Sequence, residues 1–326
     1  MPAPRPLLLL ALGAVVAGTT AAAPVAESTL ADADFPDPFV LRDGDAYYAF
    51  ATGANGANVQ AARSRDLVTW SVLPDALPAL PAWASPAPGL TWAPSVLRRG
   101  DVYVMYYTTR DARSDFQCIS RAVAKAAGGP YVDASSRPLV CQVSGDERFC
   151  GSIDPSPFVD ASGRAYLLWK SDENAAACRG ASRLWSRELT ADGLDFTGRP
   201  TALLATDRAW ERPLVEGPSM IANDGAYVLF YSANWYDSGD YAIGYATCKT
   251  PLGPCEKATV DGPLVRGHGA RLGPGGQEPF VGPDGAPWIA YHAWTAPKSS
   301  YAAGGARSLR FARLSFTGGA PTITPR

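Results

Sequence analysis

Residues 154–172 read DPSPFVDASGRAYLLWKSD and contain the pattern that decides the fold. An acidic residue and a proline precede an apolar run, a Ser162-Gly163 turn and the aromatic run 166–169. Two β-rich segments around a short glycine-containing turn are typical of a β-hairpin, because glycine adopts the positive φ that tight turns need. The stretch therefore predicts a hairpin with a carboxylate at its entrance.

Similar segments occur four more times along the chain. They are DPFVLRDGDAYYAFAT from Asp37, APSVLRRGDVYVMYYT from Ala93, EGPSMIANDGAYVLFYSA from Glu216 and QEPFVGPDGAPWIAYHAW from Gln277. Successive turn glycines are 56, 63, 62 and 60 residues apart, at Gly44, Gly100, Gly163, Gly225 and Gly285. Each hairpin is followed by a segment with the composition of two further strands, and helical periodicity is nearly absent. The chain is therefore predicted to be an all-β, five-bladed β-propeller with four antiparallel strands per blade. A two-sheet sandwich, the alternative, would leave five in-phase repeats unexplained.

The composition restricts the classes of partner. With 326 residues, a net charge of −2 and 18% charged residues, the sequence offers no basic patch, so we expect no nucleic-acid partner. The repeat runs without a Ser/Gly-rich linker, so residues 34–326 are predicted to form a single propeller domain. We expect this domain to be a monomer.

The first 23 residues, MPAPRPLLLLALGAVVAGTTAAA, are typical of a secretory signal peptide. Arg5 precedes an apolar stretch that is too short to span a bilayer, and an Ala-x-Ala end lies near Ala23. A retained anchor is the alternative. We expect an extracellular protein with no membrane segment after cleavage.

Six cysteines suit an oxidising compartment, and none has the spacing of a zinc site. Six cysteines allow 15 disulfide pairings, so the sequence does not determine one. Cys248 and Cys255 flank a TPLGP turn and are predicted to pair locally. The remaining predicted pairs are Cys118 with Cys141 and Cys150 with Cys178.

Acidic residues recur where the blades begin. In a propeller the first strand of each blade lines the axis, so equivalent positions lie near one another; here they are assigned to Asp37, Ala93, Asp154, Glu216 and Gln277. Three carboxylates in one poorly solvated cavity raise one another's pKa, which keeps a proton on one of them near neutral pH. A protonated acid opposite an ionised carboxylate is what glycoside hydrolysis requires. The alternative is that Asp37 and Asp154 merely cap the turns before their prolines.

The motifs FPDPFVLRDGDAYYAFATG, RSRDLVTW, TWAPSV, SIDPSPFVD and EGPSM, in this order, give the chain a specific resemblance. It resembles glycoside hydrolase family 43, five-bladed propeller enzymes that act on arabinose- and xylose-containing polysaccharides. The resemblance implies that Asp37 is the general base, that Glu216 is the general acid, and that Asp154 tunes the pKa of Glu216 and orients it. It also implies a single inverting displacement, with Asp37 and Glu216 roughly 6.5–9.5 Å apart to admit the water.

Several other residues are candidates for binding the sugar. Trp92 offers an apolar face, and Arg307 is similar to the arginine that family members direct at the substrate near the acid, where it would also bias Glu216. Phe39 and Ile153 are also typical core residues. The complete set of substrate-binding candidates is Trp92, Arg307, Phe39, Ile153, Gln277 and Trp235, with Tyr236 beside Trp235 at the rim.

One motif departs from the family pattern. Many members read Gly-Pro-Gly-His-Asn in the fifth blade, where the histidine helps to hold a metal ion. This chain reads GPGGQEPF, with Gly276 at the histidine position and Gln277 beside it. His292 lies within a strand run and is better explained as a hydrogen-bonded core histidine. We expect no required cofactor; a calcium-like ion at the channel stays open, with His292 and Gln277 as candidate ligands.

The activity predicted from the resemblance is that of an exo-acting α-L-arabinofuranosidase on plant-type arabinan, arabinoxylan or their oligosaccharides. A Pro/Ala-rich loop, Pro74 to Leu90, is long enough to wall off one end of the groove. Endo-α-1,5-L-arabinanase and β-xylosidase activity are the alternatives within the family. A non-catalytic carbohydrate-binding propeller is the alternative from another class, although such a module would not need all three carboxylates.

Overall fold

The computed structural model describes Met1, residues 28–142, residues 150–175, Cys178 and residues 180–325. The predicted signal peptide lies outside the described residues, apart from Met1. Within the described residues the strands form five separate antiparallel sheets, each ordered sequentially along the chain. The predicted all-β, five-bladed propeller is confirmed.

The strands follow the repeats. Blade one comprises β1 Phe39–Asp43, β2 Ala46–Thr52, β3 Val59–Ser64 and β4 Trp70–Val72. Blade two comprises β5 Trp92–Arg99, β6 Val102–Arg110 and β7 Gln117–Ala124. Blade three comprises β8 Ser152–Val159, β9 Ala165–Ser171, β10 Arg183–Glu188 and β11 Thr201–Ala205.

The last two blades complete the ring. Blade four comprises β12 Val215–Asn223, β13 Ala226–Ala233, β14 Ala242–Cys248 and β15 Cys255–Lys257, and a 3₁₀ turn at Ala209–Glu211 precedes it. Blade five comprises β16 Arg271–Val281, β17 Pro287–Thr295, β18 Ser308–Thr317 and β19 Ala320–Pro325.

Blade two differs from the others at its outer edge. Among the described residues its sheet has three continuous strands, where the other blades have four. The fourth position is taken by single β-bridges, which join Ile119 to Val140 and Val123 to Val132. The fourfold strand count per blade therefore holds, but in blade two the outermost segment pairs only at two points.

The hydrophobic core is divided among the gaps between neighbouring blades. Each of five clusters contains side chains from two consecutive blades, as Phe50 of blade one and Met105 of blade two illustrate. Tyr47 of blade one packs edge-on against Phe280 of blade five, with ring centroids 6.1 Å apart. Arg42 Nη1 also donates to Gly282 O at 3.0 Å. The ring is therefore closed by packing and hydrogen bonds between its first and last blades.

All three predicted disulfides are confirmed. They join Cys118 to Cys141, Cys150 to Cys178 and Cys248 to Cys255, with Cα–Cα distances of 4.7, 6.0 and 4.0 Å. The described part of the chain contains no helix of the length and apolarity that a membrane crossing requires.

Candidate active site

Each inner strand has a residue in a left-handed backbone conformation within it or shortly before it. In blade one Asp37 stands two positions before the first paired residue, Phe39; in the other blades pairing is interrupted at this residue and resumes two positions later, as at Ser156 after Asp154. The five residues are Asp37, Ala93, Asp154, Gly217 and Gly276, with φ of 53°, 43°, 56°, 55° and 58°. In blades two to five a β-bulge accompanies this conformation, and such bulges re-aim side chains.

This register corrects two of the five equivalences drawn from the sequence. The blade-four counterpart of Asp37 is Gly217 and the blade-five counterpart is Gly276, not Glu216 and Gln277. Glu216 lies one residue before the repeat position, because the motif EGP carries a glycine where blades one to three carry Asp, Ala and Asp. The general-acid candidate therefore enters the site from a different backbone position than the two aspartates.

All three carboxylates nevertheless face one cavity of about 370 Å³ at the axis. Its wall includes residues from the inner strand of every blade and from the loops above them. The lining side chains used below are Asp37, Phe39, Thr52, Trp92, Ile153, Asp154, Glu216, Tyr236, Tyr241, Gln277, Glu278, Tyr301 and Arg307.

Asp37 is held as an ionised carboxylate. Its Oδ2 accepts a hydrogen bond from Thr52 Oγ1 at 2.6 Å, and its Oδ1 lies 3.1 Å from Arg307 Nη1. Burial alone would raise the pKa of Asp37, but the Arg307 charge and the hydrogen bonds outweigh it, so this pKa lies below its ordinary value. Asp37 thus has the protonation state of a base.

Glu216 has both carboxylate oxygens occupied by donors from neighbouring elements. Lys170 Nζ lies 3.0 Å from Oε2, and the Tyr241 hydroxyl donates to Oε1 at 2.8 Å. Lys170 comes from β9 of blade three, whereas Tyr241 directly precedes β14 of blade four. The general-acid candidate is therefore fixed at the junction of two blades.

Asp154 lies beside Glu216 and prefers the neutral form. Its Oδ2 accepts from the backbone N–H of Gly217 at 3.0 Å, so it touches the residue after Glu216. Burial and then the Glu216 charge raise the pKa of Asp154 to about 8. The Asp154–Glu216 pair therefore holds one proton near neutral pH, while Asp37 holds none.

His292 lies beneath Asp37 and is fully buried. Its Nδ1 accepts a hydrogen bond from the Asp37 backbone N–H at 3.0 Å. Burial, with the nearby Arg307 charge, lowers the pKa of His292 to about 3, so the ring is neutral. The expectation that His292 is a hydrogen-bonded interior histidine is confirmed.

The residues at this point do not fit a metal ion. Because His292 Nδ1 is the acceptor, the ring proton lies on Nε2 and the lone pair of Nδ1 is engaged by the Asp37 N–H, so neither nitrogen has a free lone pair for a metal. At position 276 a Cβ atom would lie only 2.7 Å from His292 Nδ1, so the imidazole fills the space that a side chain would need. Within the described residues no three His, Cys, Asp or Glu side chains are grouped as a metal site.

Gln277, the other candidate ligand and a predicted substrate contact, uses its amide to join blades. Its Oε1 accepts from Ser232 Oγ at 2.8 Å, and its Nε2 donates to Gly217 O at 2.7 Å. Gln277 therefore lines the cavity, but the polar atoms of its side chain form hydrogen bonds that position the strand carrying Glu216.

Arg307 lies in the cavity wall as predicted, but beside the other carboxylate. Its guanidinium contacts Asp37, and its Nε donates to the Tyr301 hydroxyl at 3.0 Å. It also lies over the Tyr236 ring, 4.8 Å from the centroid. The Arg307 charge lowers the pKa of Asp37, and its expected influence on Glu216 stays a prediction.

Most of the apolar candidates border the cavity. Phe39, Ile153, Trp92 and Tyr236 are all in its wall, and Trp92 Nε1 donates to Gly89 O at 2.8 Å, which fixes its ring against the Pro74–Leu90 loop. Trp235 is not among the lining residues. It is 45% exposed and its ring lies 5.1 Å from that of Tyr236, outside the cavity proper.

Sequence reasoning missed several polar residues of the site, among them Lys170, Tyr241 and Glu278. The sequence could have identified Lys170, because a lysine inside the apolar run YLLWKSD is expected to be buried and to need a charged partner. No sequence feature distinguishes Tyr241, since aromatic residues are common throughout these strands. Glu278 lines the cavity. Burial raises its pKa to about 8, although a hydrogen bond with Ser156 lowers it. Its motif, QEP, is explained by the repeat pattern and gives no separate sign of a site residue.

Comparison with known proteins shows the family of this chain. A family model described as Glycosyl hydrolases family 43 matches residues 28–321. A probable arabinan endo-1,5-alpha-L-arabinosidase A from Aspergillus flavus is 28% identical over 276 residues, which cover 78% of this chain and 81% of that protein. A putative beta-xylosidase from Xylanibacter ruminicola is 26% identical over 80% of this chain and 45% of that protein. The crystal structure of a thermostable family-43 glycoside hydrolase superposes with a TM-score of 0.80 at 29% identity, over 92% of this chain and 96% of that one.

Proposed function

The chain belongs to glycosyl hydrolase family 43 and is a glycosidase, and we propose that it is a secreted, exo-acting α-L-arabinofuranosidase of arabinan, arabinoxylan or their oligosaccharides. One observation carries the proposed chemistry. Of the carboxylates that face a single cavity, Asp37 has a lowered pKa and Asp154, beside Glu216, has a raised one. An ionised base and a proton-holding pair around one cavity are what acid–base glycoside hydrolysis needs.

Asp37 is the proposed general base. Its carboxylate removes a proton from a water molecule as the water oxygen bonds to the anomeric carbon. Thr52 and Arg307 hold the carboxylate in one orientation, and the neutral His292 fixes its backbone from below. Because Arg307 keeps Asp37 ionised, the base stays ready down to mildly acidic pH.

Glu216 is the proposed general acid. It protonates the glycosidic oxygen as the bond to the anomeric carbon breaks, and Asp154 supplies the electrostatic coupling that keeps a proton on the pair. The configuration inverts in a single displacement. A stacked pair of rings, His292 and Tyr241, joins the backbone of Asp37 to the carboxylate of Glu216, which supports a separation wide enough for water.

The loops around the cavity support exo action. Gly89, near the end of the Pro74–Leu90 loop, lines the cavity next to Trp92. The loop is anchored to blade two: Ser85 N donates to Arg110 O at 2.8 Å, and Trp83 Nε1 donates to Ser135 Oγ at 3.1 Å. A wall held at several points favours a pocket for a chain end over an open groove.

The test is hydrolysis of chromogenic arabinofuranoside and xyloside, together with product analysis on linear arabinan, branched arabinan and arabinoxylan. We expect release of arabinose alone, and a loss of activity of about a hundred- to ten-thousandfold in Glu216→Gln on natural polymers, because the variant lacks general acid catalysis. Internal oligosaccharide products would instead assign an endo-arabinanase, and faster xyloside cleavage a β-xylosidase. Oligosaccharide binding without release of sugar would assign a binding propeller.

Secretion has its own test. The signal-like residues 1–23 and three disulfides support export, since disulfides persist in oxidising compartments. Expression of the full chain in a secreting host should give an extracellular protein whose intact mass lacks the first 23 residues. A protein kept in the cytoplasm or on the membrane would contradict the proposal. Size-exclusion chromatography with light scattering would test the expected monomer.

A further inference from the structure

Lys170 is a buried charge with no role in the acid–base assignment above. It lies on β9, the second strand of blade three, and its side chain is 2% exposed. Its Nζ contacts Glu216 Oε2 and Asp172 Oδ1, both at 3.0 Å. A buried ammonium is costly unless it is paired, so its position opposite the proposed acid calls for an explanation.

The contacts of Glu216 describe an ionised group. Lys170 offers only donors, and the Tyr241 hydroxyl donates to the other oxygen. Burial would lower the pKa of Lys170, but the charges of Glu216, Asp172 and Asp154 outweigh it and raise this pKa, so the ammonium stays charged. Burial and the Glu216 charge keep the pKa of Tyr241 well above its ordinary value, so its proton also stays.

The other charged and titratable groups near Glu216 line the same cavity. Asp154 comes from blade three and couples to Glu216, and the remaining groups in the wall are Asp37, Arg307, Tyr236, Glu278 and Tyr301. Among the residues that the structure describes, Lys170 is the cation in direct contact with Glu216, whereas Arg307 is paired with Asp37. Lys170 is therefore the group that sets the balance of charge at the acid.

Resting on the proposed function, we propose that Lys170 is a positioning residue for the general acid. In the empty cavity its ammonium holds Glu216 as a carboxylate and leaves the catalytic proton on Asp154. The proton moves to Glu216 only when a glycosidic oxygen, which accepts but does not donate a hydrogen bond, arrives beside it. Water in the cavity carries the proton between the two carboxyl groups.

The proton balance then closes over one turnover. Asp154 loses a proton and Glu216 gains it; Glu216 passes it to the leaving oxygen as the glycosidic bond breaks. Asp37 takes a proton from the attacking water and returns it to solvent, and Asp154 regains one from solvent. Lys170 keeps all its protons throughout and acts only through its charge.

The first test is the pH dependence of kcat/KM in Lys170→Met. Loss of the cation removes the stabilisation of the ionised acid, so the pair should keep its proton to higher pH. We expect the alkaline limb to move upward by about 1–3 pH units, the range for removal of an opposite charge in contact. Lys170→Arg keeps the positive charge, so its alkaline limb should lie closer to that of the wild type than the limb of Lys170→Met does. An alkaline limb that stays in place in active Lys170→Met would overturn the inference.

Lys257→Met is the matched control. Lys257 is also a buried lysine, with Nζ 2.7 Å from Asp207 Oδ1 and 2.7 Å from Glu211 Oε2, but it lies outside the cavity wall. Its replacement should lower the thermal midpoint and leave both limbs of the pH profile unchanged. An equal shift in this control would show that the effect of Lys170→Met is general destabilisation.

A second measurement does not depend on a variant that retains activity. In wild-type protein with ¹³C-labelled glutamate side-chain carboxyls, the Glu216 signal, assigned by its absence in Glu216→Gln, should show an ionised group at pH 7. A Glu216 carboxyl that is protonated at pH 7 in the empty enzyme would refute the inference even if the enzyme is active. A wild type that hydrolyses no glycoside would refute the proposed function instead.

Discussion

The imidazole of His292 stacks on the ring of Tyr241, with centroids 5.8 Å apart and planes inclined by 5°. His292 accepts from the backbone of Asp37, and Tyr241 donates to Glu216. Gly275 makes room for this pair, because a Cβ atom there would overlap the Tyr241 ring. Two rigid rings therefore set the relation between the proposed base and the proposed acid, which limits the freedom of both carboxylates.

Removal of the Tyr241 hydroxyl should disturb the acid and spare the base. Tyr241→Phe keeps the stacked ring but removes a hydrogen bond to the ionised form of Glu216, so the pair should hold its proton to higher pH. A hydrogen bond to a charged group contributes about 1.5–3 kcal/mol, so we expect the alkaline limb of kcat/KM to move to higher pH by about one to two pH units. The acidic limb should stay in place.

Tyr231→Phe is the control for this prediction. Tyr231 is another buried tyrosine whose hydroxyl donates to a buried glutamate, Glu211, at 2.9 Å, but outside the cavity wall. Its pH profile should match the wild type. If the two variants have the same profile, Tyr241 does not orient the acid.

Arg307 should determine the acidic limit of activity. The pKa of Asp37 is lowered because the contact with Arg307 and the hydrogen bonds outweigh burial, so activity is lost only when the pH falls through this lowered value. Without the guanidinium the base takes up its proton at higher pH. In Arg307→Met the acidic limb of kcat/KM should therefore move upward by at least about one pH unit.

Arg313→Met is the comparison for Arg307. Arg313 forms an ion pair of 2.6 Å with Asp284 at the surface of blade five, outside the cavity wall. Surface pairs of this kind contribute little, so the variant should retain the wild-type profile. An acidic limb in Arg307→Met that coincides with that of Arg313→Met would contradict the assigned partner of Asp37.

The fold and the three carboxylates could be predicted because the repeat is written at fixed spacing. Each hairpin glycine has positive φ, as the turn chemistry requires, and radial symmetry converts a 60-residue period into spatial proximity. The exact alignment failed at Glu216 because the inserted left-handed glycine, Gly217, shifts the acid by one residue. Sequence similarity between EGPS and DPSP did not reveal which residue bears the backbone strain.

Contacts between blades were less predictable than the blades themselves. Three different strands or their ends contribute Arg307, Asp37 and Thr52. Their spacing in the sequence does not predict which carboxylate Arg307 contacts. Lys170 was visible as a charge in an apolar run, but its partner lies 46 residues away across a blade boundary. Such pairings depend on the direction in which side chains point at β-bulges, and the repeat period of the sequence does not reveal that direction.

Trp235 should serve longer substrates only. It is exposed beside Tyr236 but lies outside the cavity wall, where an aromatic ring offers a stacking surface to sugars beyond the cleaved bond. Trp235→Ala should raise KM severalfold for arabino-oligosaccharides of three or more units and leave KM for an aryl arabinofuranoside unchanged. Val281→Ala, at an exposed apolar side chain outside the cavity wall, should change neither constant. Equal effects of Trp235→Ala on both substrates would exclude a remote sugar contact.

Gly276 should be required to keep Asp37, the proposed base, in position, in addition to providing the positive φ at residue 276. Gly276 and Gly285 both have positive φ, 58° and 76°, so alanine at either position should cost about 1–2 kcal/mol of backbone strain. At Gly285 a new Cβ meets open space, whereas at Gly276 it would lie 2.7 Å from His292 Nδ1 and 3.1 Å from Asp37 Cα. Gly276→Ala should therefore lower the thermal midpoint more than Gly285→Ala does, and it alone should reduce kcat/KM, by at least about tenfold, because small displacements of a catalytic group are costly. Equal losses of stability with full activity in both variants would show that His292 yields freely and does not hold Asp37 in place.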